Sequence, residues 1–307
     1  MQHYTSIDNV FLQDAWMTIG SFDGVHRGHQ LIIEKVVSGA RRASVPAVVV
    51  TFYPHPAVVL GKRQEAFYLN SPQERADLLG EMGVDAVITY TFTREVANLS
   101  AFEFMSQLHN HLMLRRLFVG SDFALGHGRE GTTDLLADLG KTLGYELEVV
   151  PPVLNGDVVI SSSLIRSWLA VGDVKHAARL LGRPYRISGE IIHGDGRGKA
   201  LGIPTANLSV WTERTLPKAG VYVCRASIQG QTWGAVTNIG VRPTFEPAPV
   251  PPRVEAHVLN FNRELYGQEM QLDFIDHLRD EQRFSSVQTL VDQIQADIHS
   301  AKEILDN

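Results

Sequence analysis

The sequence holds a single cysteine, Cys224, in 307 residues. That count excludes a disulfide framework and a thiolate metal site, and it fits a reducing compartment. No apolar run is long enough to span a membrane. The opening stretch, Met1 to Trp16, mixes polar and apolar residues with acids at Asp8 and Asp14, unlike a secretory signal. Positive charge is also scarce: 28 Lys and Arg stand against 34 Asp and Glu, a formal net charge of −6. Bulk nucleic-acid binding therefore has no electrostatic basis, and phosphate contacts must come from local clusters. These absences lead us to expect a cytoplasmic protein with no nucleic-acid or membrane partner; nothing in the composition fixes an oligomeric state. Repeats are missing too, and the one biased tract is the proline-rich Glu246 to Arg253. What is present is 44% hydrophobic residues in a chain long enough for two domains.

The stretch that stands out is His193 to Leu208, HGDGRGKALGIPTANL. Glycines at 194, 196, 198 and 202 put a flexible backbone beside Arg197 and Lys199. Glycine lets backbone N–H groups approach a polyphosphate closely, and the two cations supply charge. Thr205 and Asn207, two apart on an extended segment, point the same way and offer hard oxygens that suit Mg²⁺. Taken alone, the loop fits a glycine-rich hairpin turn with a basic rim equally well.

From Trp16 to about Val150, short apolar runs alternate with helical periodicity. The expected strands are Trp16–Gly20, Pro46–Phe52, Val84–Tyr90, Leu117–Gly120 and Leu147–Val150. Ser71-Pro72-Gln73-Glu74 and Ser100-Ala101-Phe102-Glu103 are Ser-x-x-Glu capping boxes that open helices between them. The alternation predicts a doubly wound parallel sheet, which binds ligands at the carboxyl ends of its strands. TIGSFDGVHRGHQ (Thr18 to Gln30) lies there, with His26 and His29 bracketing Arg27-Gly28 at a helix start. A helix N-terminus favours anions, and two imidazoles can add donors to a phosphate whose charge rises during reaction. The pair could also be half of a metal site, although no Cys is near and spacing implies no third ligand. His55, between two prolines after the second expected strand, faces either the same crevice or a surface turn.

These residues, with TFYPHP (Thr51 to Pro56), FVGSDFALGHGREG (Phe118 to Gly131) and ISSSLIRSW (Ile160 to Trp168), resemble the HxGH nucleotidylyltransferases, and within them the FAD synthetase module. The resemblance implies that His26 and His29 hold the ATP phosphates and Arg166 binds the triphosphate from the other side, with Gly20, Phe22, Gly24, Gly28 and Ser162 among the ATP contacts; Ser161 to Ser163 fit equally well as caps for the helix that follows them. Asp122 matches a position associated with the flavin or nucleotide pocket, and equally fits a helix or turn cap; His55, if it faces the crevice, joins it on the flavin side. Ser21 stands where Asn is frequent in that family, and His127 occupies the loop around Gly126.

After Gly172 to Tyr185, a short helix stopped by Gly182 and Pro184, the pattern changes. The chain is expected to divide there, into 1–182 and 183–307. Short strands follow at Tyr185–His193, Gly220–Ile228, Thr232–Ile239, Arg253–Phe261 and Met270–Phe274, which predicts a small antiparallel barrel. A closing helix, with Ser285 and Gln288 as its capping box, presents Val287, Leu290, Val291, Ile294 and Ile298 on one face.

Five ordered segments of this half resemble riboflavin kinase: GRGKALGIPTANL, GVYVC, TNIGVRPTF, VEAHVLNFNRELYG and FIDHLRDEQRFSSVQTLVDQIQADI. The resemblance implies ATP contacts at Gly196, Gly198, Lys199, Thr205 and Asn207, with Mg²⁺ on Thr205 and Asn207. It makes Glu255 the base. Arg242 and the Arg279–Arg283 segment, with Arg279 and Glu281, are expected to flank the flavin or the phosphates, although exposed salt bridging explains these charges nearly as well. The whole chain is thus similar to the bacterial bifunctional riboflavin kinase and FAD synthetase family. The implied activities are phosphorylation of riboflavin to FMN and adenylylation of FMN to FAD, each using ATP, with pyrophosphate released in the second. A nucleotidylyltransferase with another acceptor, a flavin-sensing protein without turnover, and an enzyme with one decayed half are the rival readings.

Overall fold

The computed structural model describes residues 1–62, 67–194, 198, 201–240, 252–261, 263–264 and 266–306. Contacts gather the chain into two compact units, Met1–Glu65 with Asn70–Ser162, and Ala66–Leu69 with Ser163–Asn307.

The first unit is a six-stranded parallel sheet. Its strands are β1 (Gln2–Tyr4), β2 (Trp16–Ile19), β3 (Ala47–Tyr53), β4 (Ala86–Thr91), β5 (Arg116–Gly120) and β6 (Glu146–Val150), in the order β1-β4-β3-β2-β5-β6. The helices are α1 (Arg27–Ala43), α2 (Pro56–Val59), α3 (Pro72–Glu81), α4 (Arg94–Ala97), α5 (Ala101–Leu112) and α6 (Thr133–Leu143). Both expected capping boxes form, on α3 and α5. The four consecutive valine-rich positions of β3 are apolar throughout because both sheet faces are covered. Val48 and Val50 pack with Phe104, Met105 and Leu108 of α5, while Val49 packs with Ile33 and Val36 of α1 and Leu79 of α3. The strand β1 was not expected: three residues paired at a sheet edge carry too little periodicity to announce themselves. A small hairpin, β7 (Leu154–Asn155) with β8 (Val158–Val159), follows β6.

In the second unit, α7 (Ser162–Ala170) and α8 (Val174–Leu181) precede a closed antiparallel barrel. Its strands are β9 (Tyr185–Ile192), β10 (Ala206–Val210), β11 (Gly220–Ile228), β12 (Gln231–Gly240), β13 (Arg253–Val258) and β14 (Glu269–Asp280), closing in the order β10-β13-β12-β11-β14-β9. The strand β14 runs well past the Phe274 expected as its end. Register shifts against β11, between Val221 and Tyr222 and between Val223 and Cys224, break the alternation that would have marked its second half. The outer faces of β11 and β12 supply Val221, Val223 and Val236 to a cluster with Ile298 and Ala301 of α9 (Val287–Asp306). The cap of α9 corrects the sequence reading by one residue. Ser286 Oγ accepts from Thr289 N and Thr289 Oγ1 accepts from Ser286 N, both at 3.2 Å, while Gln288 donates instead to Asp292.

Candidate functional sites

The first site is built where the strand order of the sheet reverses. The chain leaves β2 toward β3 and β4, then returns on the other side as β5 and β6, which makes the end of β2 the point where sheets of this kind bind their ligands. The loop there turns through left-handed backbone at Phe22 (φ 46°), Gly24 (φ 82°) and Val25 (φ 40°). Positive φ is rare for a β-branched residue and persists only where the surroundings over-determine it. Here Phe22, Asp23 and Val25 are all buried.

The loop delivers His26 as the N-cap of α1, where its Nδ1 accepts from the backbone N of His29 at 3.3 Å. That bond puts the His26 proton on Nε2, a donor. The rings of His26 and His29 stack with centroids 3.6 Å apart and planes 17° apart, and Phe22 meets His29 edge-on at 5.1 Å. Gly28 explains the spacing of the motif: a Cβ there would lie 3.1 Å from His26 Cε1 and 3.2 Å from its Nδ1. The Nδ1 of His29 is sealed from solvent and meets no hydrogen-bond partner among the described residues. Burial, followed by the adjoining His26 ring, which disfavours a second proton on the pair, and by the charge of Arg75, holds the His29 imidazole well below its ordinary pKa.

Other expected residues gather at the same sheet edge. Gly20 follows β2, and a Cβ on it would touch the Phe22 ring at 3.3 Å. Ser162 Oγ donates to the Asp23 carbonyl at 2.8 Å. His55 caps α2 just past β3, its Nδ1 accepting from Ala57 N at 3.0 Å. Asp122 is exposed just past β5. Since β3, β2 and β5 are neighbours, His55, the histidine loop and Asp122 stand along one edge. Arg166 belongs to the second compact unit, on α7. Its guanidinium donates to the Phe67 carbonyl and to Ser163 Oγ, each at 3.2 Å, and lies 5.2 Å from the Phe67 ring centroid.

The second site is made by strand register. Asn207 on β10 lies directly opposite Glu255 on β13, and Glu255 lies opposite Asn238 on β12, so the three share one face. Alternation sends Val254, Ala256 and Val258 into the core and leaves Glu255 and His257 on the face that α9 covers. Two glycines make room for the side chains of Asn207 and Thr205. A Cβ on Gly194 would sit 2.1 Å from Asn207 Nδ2, and one on Gly198 would sit 2.5 Å from the Ile203 carbonyl and 3.2 Å from Thr205 Oγ1. The turn before Thr205 is pinned by His257, whose Nδ1 lies 2.8 Å from the Pro204 carbonyl.

Between barrel wall and α9 lies a cavity of about 380 Å³. Thr205, Asn238, Glu255, His257, Arg279 and Glu281 give it a polar side, and Ile203, Val221, Val236, Leu290 and Ile294 an apolar one. Arg279 is not a free surface charge. Its Nε and Nη2 donate to the buried carboxylate of Asp297 at 3.0 and 2.8 Å, and Gln293 donates to the same carboxylate at 2.9 Å. Gly196, Lys199 and Arg242 lie outside the described residues. Cys224 is inside the barrel, where burial pushes its thiol up to about 12, so it offers no thiolate.

Asn238, His257 and Asp297 were not among the expected site residues. Asn238 becomes visible only through register. Asp297 had a signal, an acid interrupting the apolar stripe of Val291, Ile294 and Ile298 on the closing helix. Chemically, the first site can present imidazole donors and a helix N-terminus to an anion. The second pairs a carboxylate with hydroxyl and amide oxygens beside a fixed guanidinium.

The sequence matches the FAD synthetase family over residues 8–164 and the riboflavin kinase family over residues 181–305. A protein of Pseudomonas fluorescens named as a bifunctional riboflavin kinase/FMN adenylyltransferase is 38% identical, the match covering 94% of this chain and 92% of that protein. One of Bacillus subtilis with the same name is 35% identical over 95% and 92%. A solved structure from Streptococcus pneumoniae, described as a macrolide-efflux protein, superposes with a TM-score of 0.89 at 30% identity, covering 98% of both chains. Among the described residues of the present chain, no helix is long and apolar enough to cross a membrane.

Proposed function

Because this chain belongs to the family of bifunctional riboflavin kinase/FMN adenylyltransferases and has both of its domains, we propose that its two activities reside in the two sites described above. The enzyme phosphorylates riboflavin to FMN and adenylylates FMN to FAD, with ATP as the donor in each reaction. The kinase step is assigned to 183–307 and the adenylyl transfer to 1–182. The use of ATP in both steps favours the cytoplasm, and no nucleic-acid or membrane partner is invoked.

In the kinase step the ribityl 5′-hydroxyl oxygen attacks the γ-phosphorus of ATP, the bond to the β-phosphate oxygen breaks, and ADP leaves. Glu255 accepts the hydroxyl proton, a role that suits a carboxylate at the polar edge of a cavity able to hold an apolar ring system. Thr205 and Asn207 fit Mg²⁺ because both offer neutral hard oxygens next to the Glu255 carboxylate, leaving room for phosphate oxygens in the coordination shell. When bound, the ion offsets phosphate charge. Arg279, oriented by Asp297, and Glu281 line the flavin side of the cavity.

In the adenylyl step an FMN phosphate oxygen attacks the α-phosphorus of ATP, the α–β bridge breaks, and pyrophosphate leaves. No enzyme nucleophile takes part. The Nε2 donor of His26, the His29 ring and the start of α1 hold phosphate charge, and Gly20, Phe22, Gly24 and Gly28 give the loop its shape. Ser162 braces that loop through Asp23, while the assignments of Arg166 to the triphosphate and of His55 and Asp122 to the flavin rest on the motifs that carry them. The observation that carries the division of labour is the register of Asn207 with Glu255 in one unit and the stacked histidine cap in the other. Incubation with riboflavin, ATP and Mg²⁺ followed by separation of the flavins should give both FMN and FAD. Accumulation of FMN alone would end the two-site assignment.

A further inference from the structure

The histidine loop is held from beneath by a charge that the scheme above does not use. Arg75, on α3, is completely buried. Its Nη1 donates to the Ser21 carbonyl at 2.6 Å, to Thr51 Oγ1 at 2.7 Å and to the Phe52 carbonyl at 3.3 Å. Thr51 Oγ1 donates to the same Ser21 carbonyl at 2.9 Å. A single guanidinium nitrogen thus ties the segment just past β2 to the end of β3, immediately before the backbone turns left-handed at Phe22.

A strained loop keeps its shape only if its neighbours leave it no alternative, and charge-assisted hydrogen bonds to carbonyls are strong enough to act as such neighbours. The loop that Arg75 fixes at Ser21 ends, five residues on, at the cap residue His26. Phe22 transmits the constraint again, through its edge contact with His29. We propose that Arg75 is a positioning residue for adenylyl transfer, locking residues 20–26 in the conformation that presents the His26–His29 pair while itself touching no nucleotide. The proposal rests on the assignment of that pair to FAD formation. Its charge also contributes to keeping His29 neutral, after burial and His26.

Arg75→Met keeps the volume of the side chain and removes its donors; Thr51→Val removes one acceptor and leaves the arginine in place. With supplied FMN, kcat of the Met variant should fall by ~10²-fold while KM for FMN and ATP stays within ~3-fold, the signature of a misplaced but intact site. Thr51→Val should lower kcat by roughly 5-fold with KM unchanged. A purely structural arginine would instead lower the melting temperature and leave kcat of the folded enzyme alone. The proposal is overturned if Arg75→Met folds and keeps kcat within ~2-fold of wild type, or if KM rises instead of kcat falling. Should the Met variant not fold, a Thr51→Val enzyme with wild-type kcat overturns it. His29→Ala is run alongside: if that variant still makes FAD, the assignment of the site has failed, not the role of Arg75.

Discussion

The two sites proposed to grip ATP are built in opposite ways. In the sheet unit almost everything comes from one short stretch, Gly20 to His29, whose shape is stored in three left-handed residues and a helix cap. In the barrel unit the groups come from β10, β12, β13, β14 and α9, and no two strands alone make the site. A site made from a loop depends on local backbone conformation. A site made from register depends on every strand keeping its place, because a slip of one residue would turn Glu255 into the core.

That contrast can be broken or sharpened by substitution. The largest effect is expected from Glu255→Ala, which should lower riboflavin phosphorylation by ~10³-fold and leave conversion of supplied FMN intact, read by separating the flavins. His29→Ala should do the reverse, cutting FAD formation by ~10²-fold or more while FMN still accumulates. If either variant silenced both reactions while still folded, the sites would not be separate. A finer test uses the glycines. Gly194→Ala drives a Cβ to 2.1 Å from Asn207 Nδ2 and must expel that side chain, so FMN formation should fall by ~10-fold or more. Gly28→Ala asks the His26 ring to yield only a few tenths of an ångström from 3.1 Å, and FAD formation should fall less than that. The smallest effect is on stability. With its folded pKa lowered by burial, His29 stays neutral where the unfolded chain takes up a proton, so stability is full above about pH 6.5 and declines as pH falls toward the folded value. Thermal melts between pH 7 and pH 5 should show a smaller decline for His29→Gln than for wild type.

The same contrast accounts for what the sequence disclosed. The histidine loop was legible from residues alone because strand end, glycines and helix start are consecutive, and both capping boxes formed as read. The barrel was legible as a class from its short strands, but the site within it was reached through resemblance to a family. Asn238 opposite Glu255, and Asp297 beneath Arg279, depend on pairings between residues far apart in sequence, which periodicity does not encode. The second half of β14 and the cap of α9 were misplaced for smaller reasons: bulges hid the alternation, and two adjacent serines offered the same cap.

The carboxylate of Asp297 has a consequence for the newborn protein. Helix α9 brings Leu290, Ile294 and Asp297 to the cavity, and it follows every barrel strand in the order of synthesis. As translation proceeds, the strand barrel emerges with the cavity on its outer face uncovered and Arg279 lacking its counter-charge. The histidine loop is by then already out of the ribosome. The cavity beside Glu255 is therefore closed only once α9 has been made, after the histidine loop and every barrel strand.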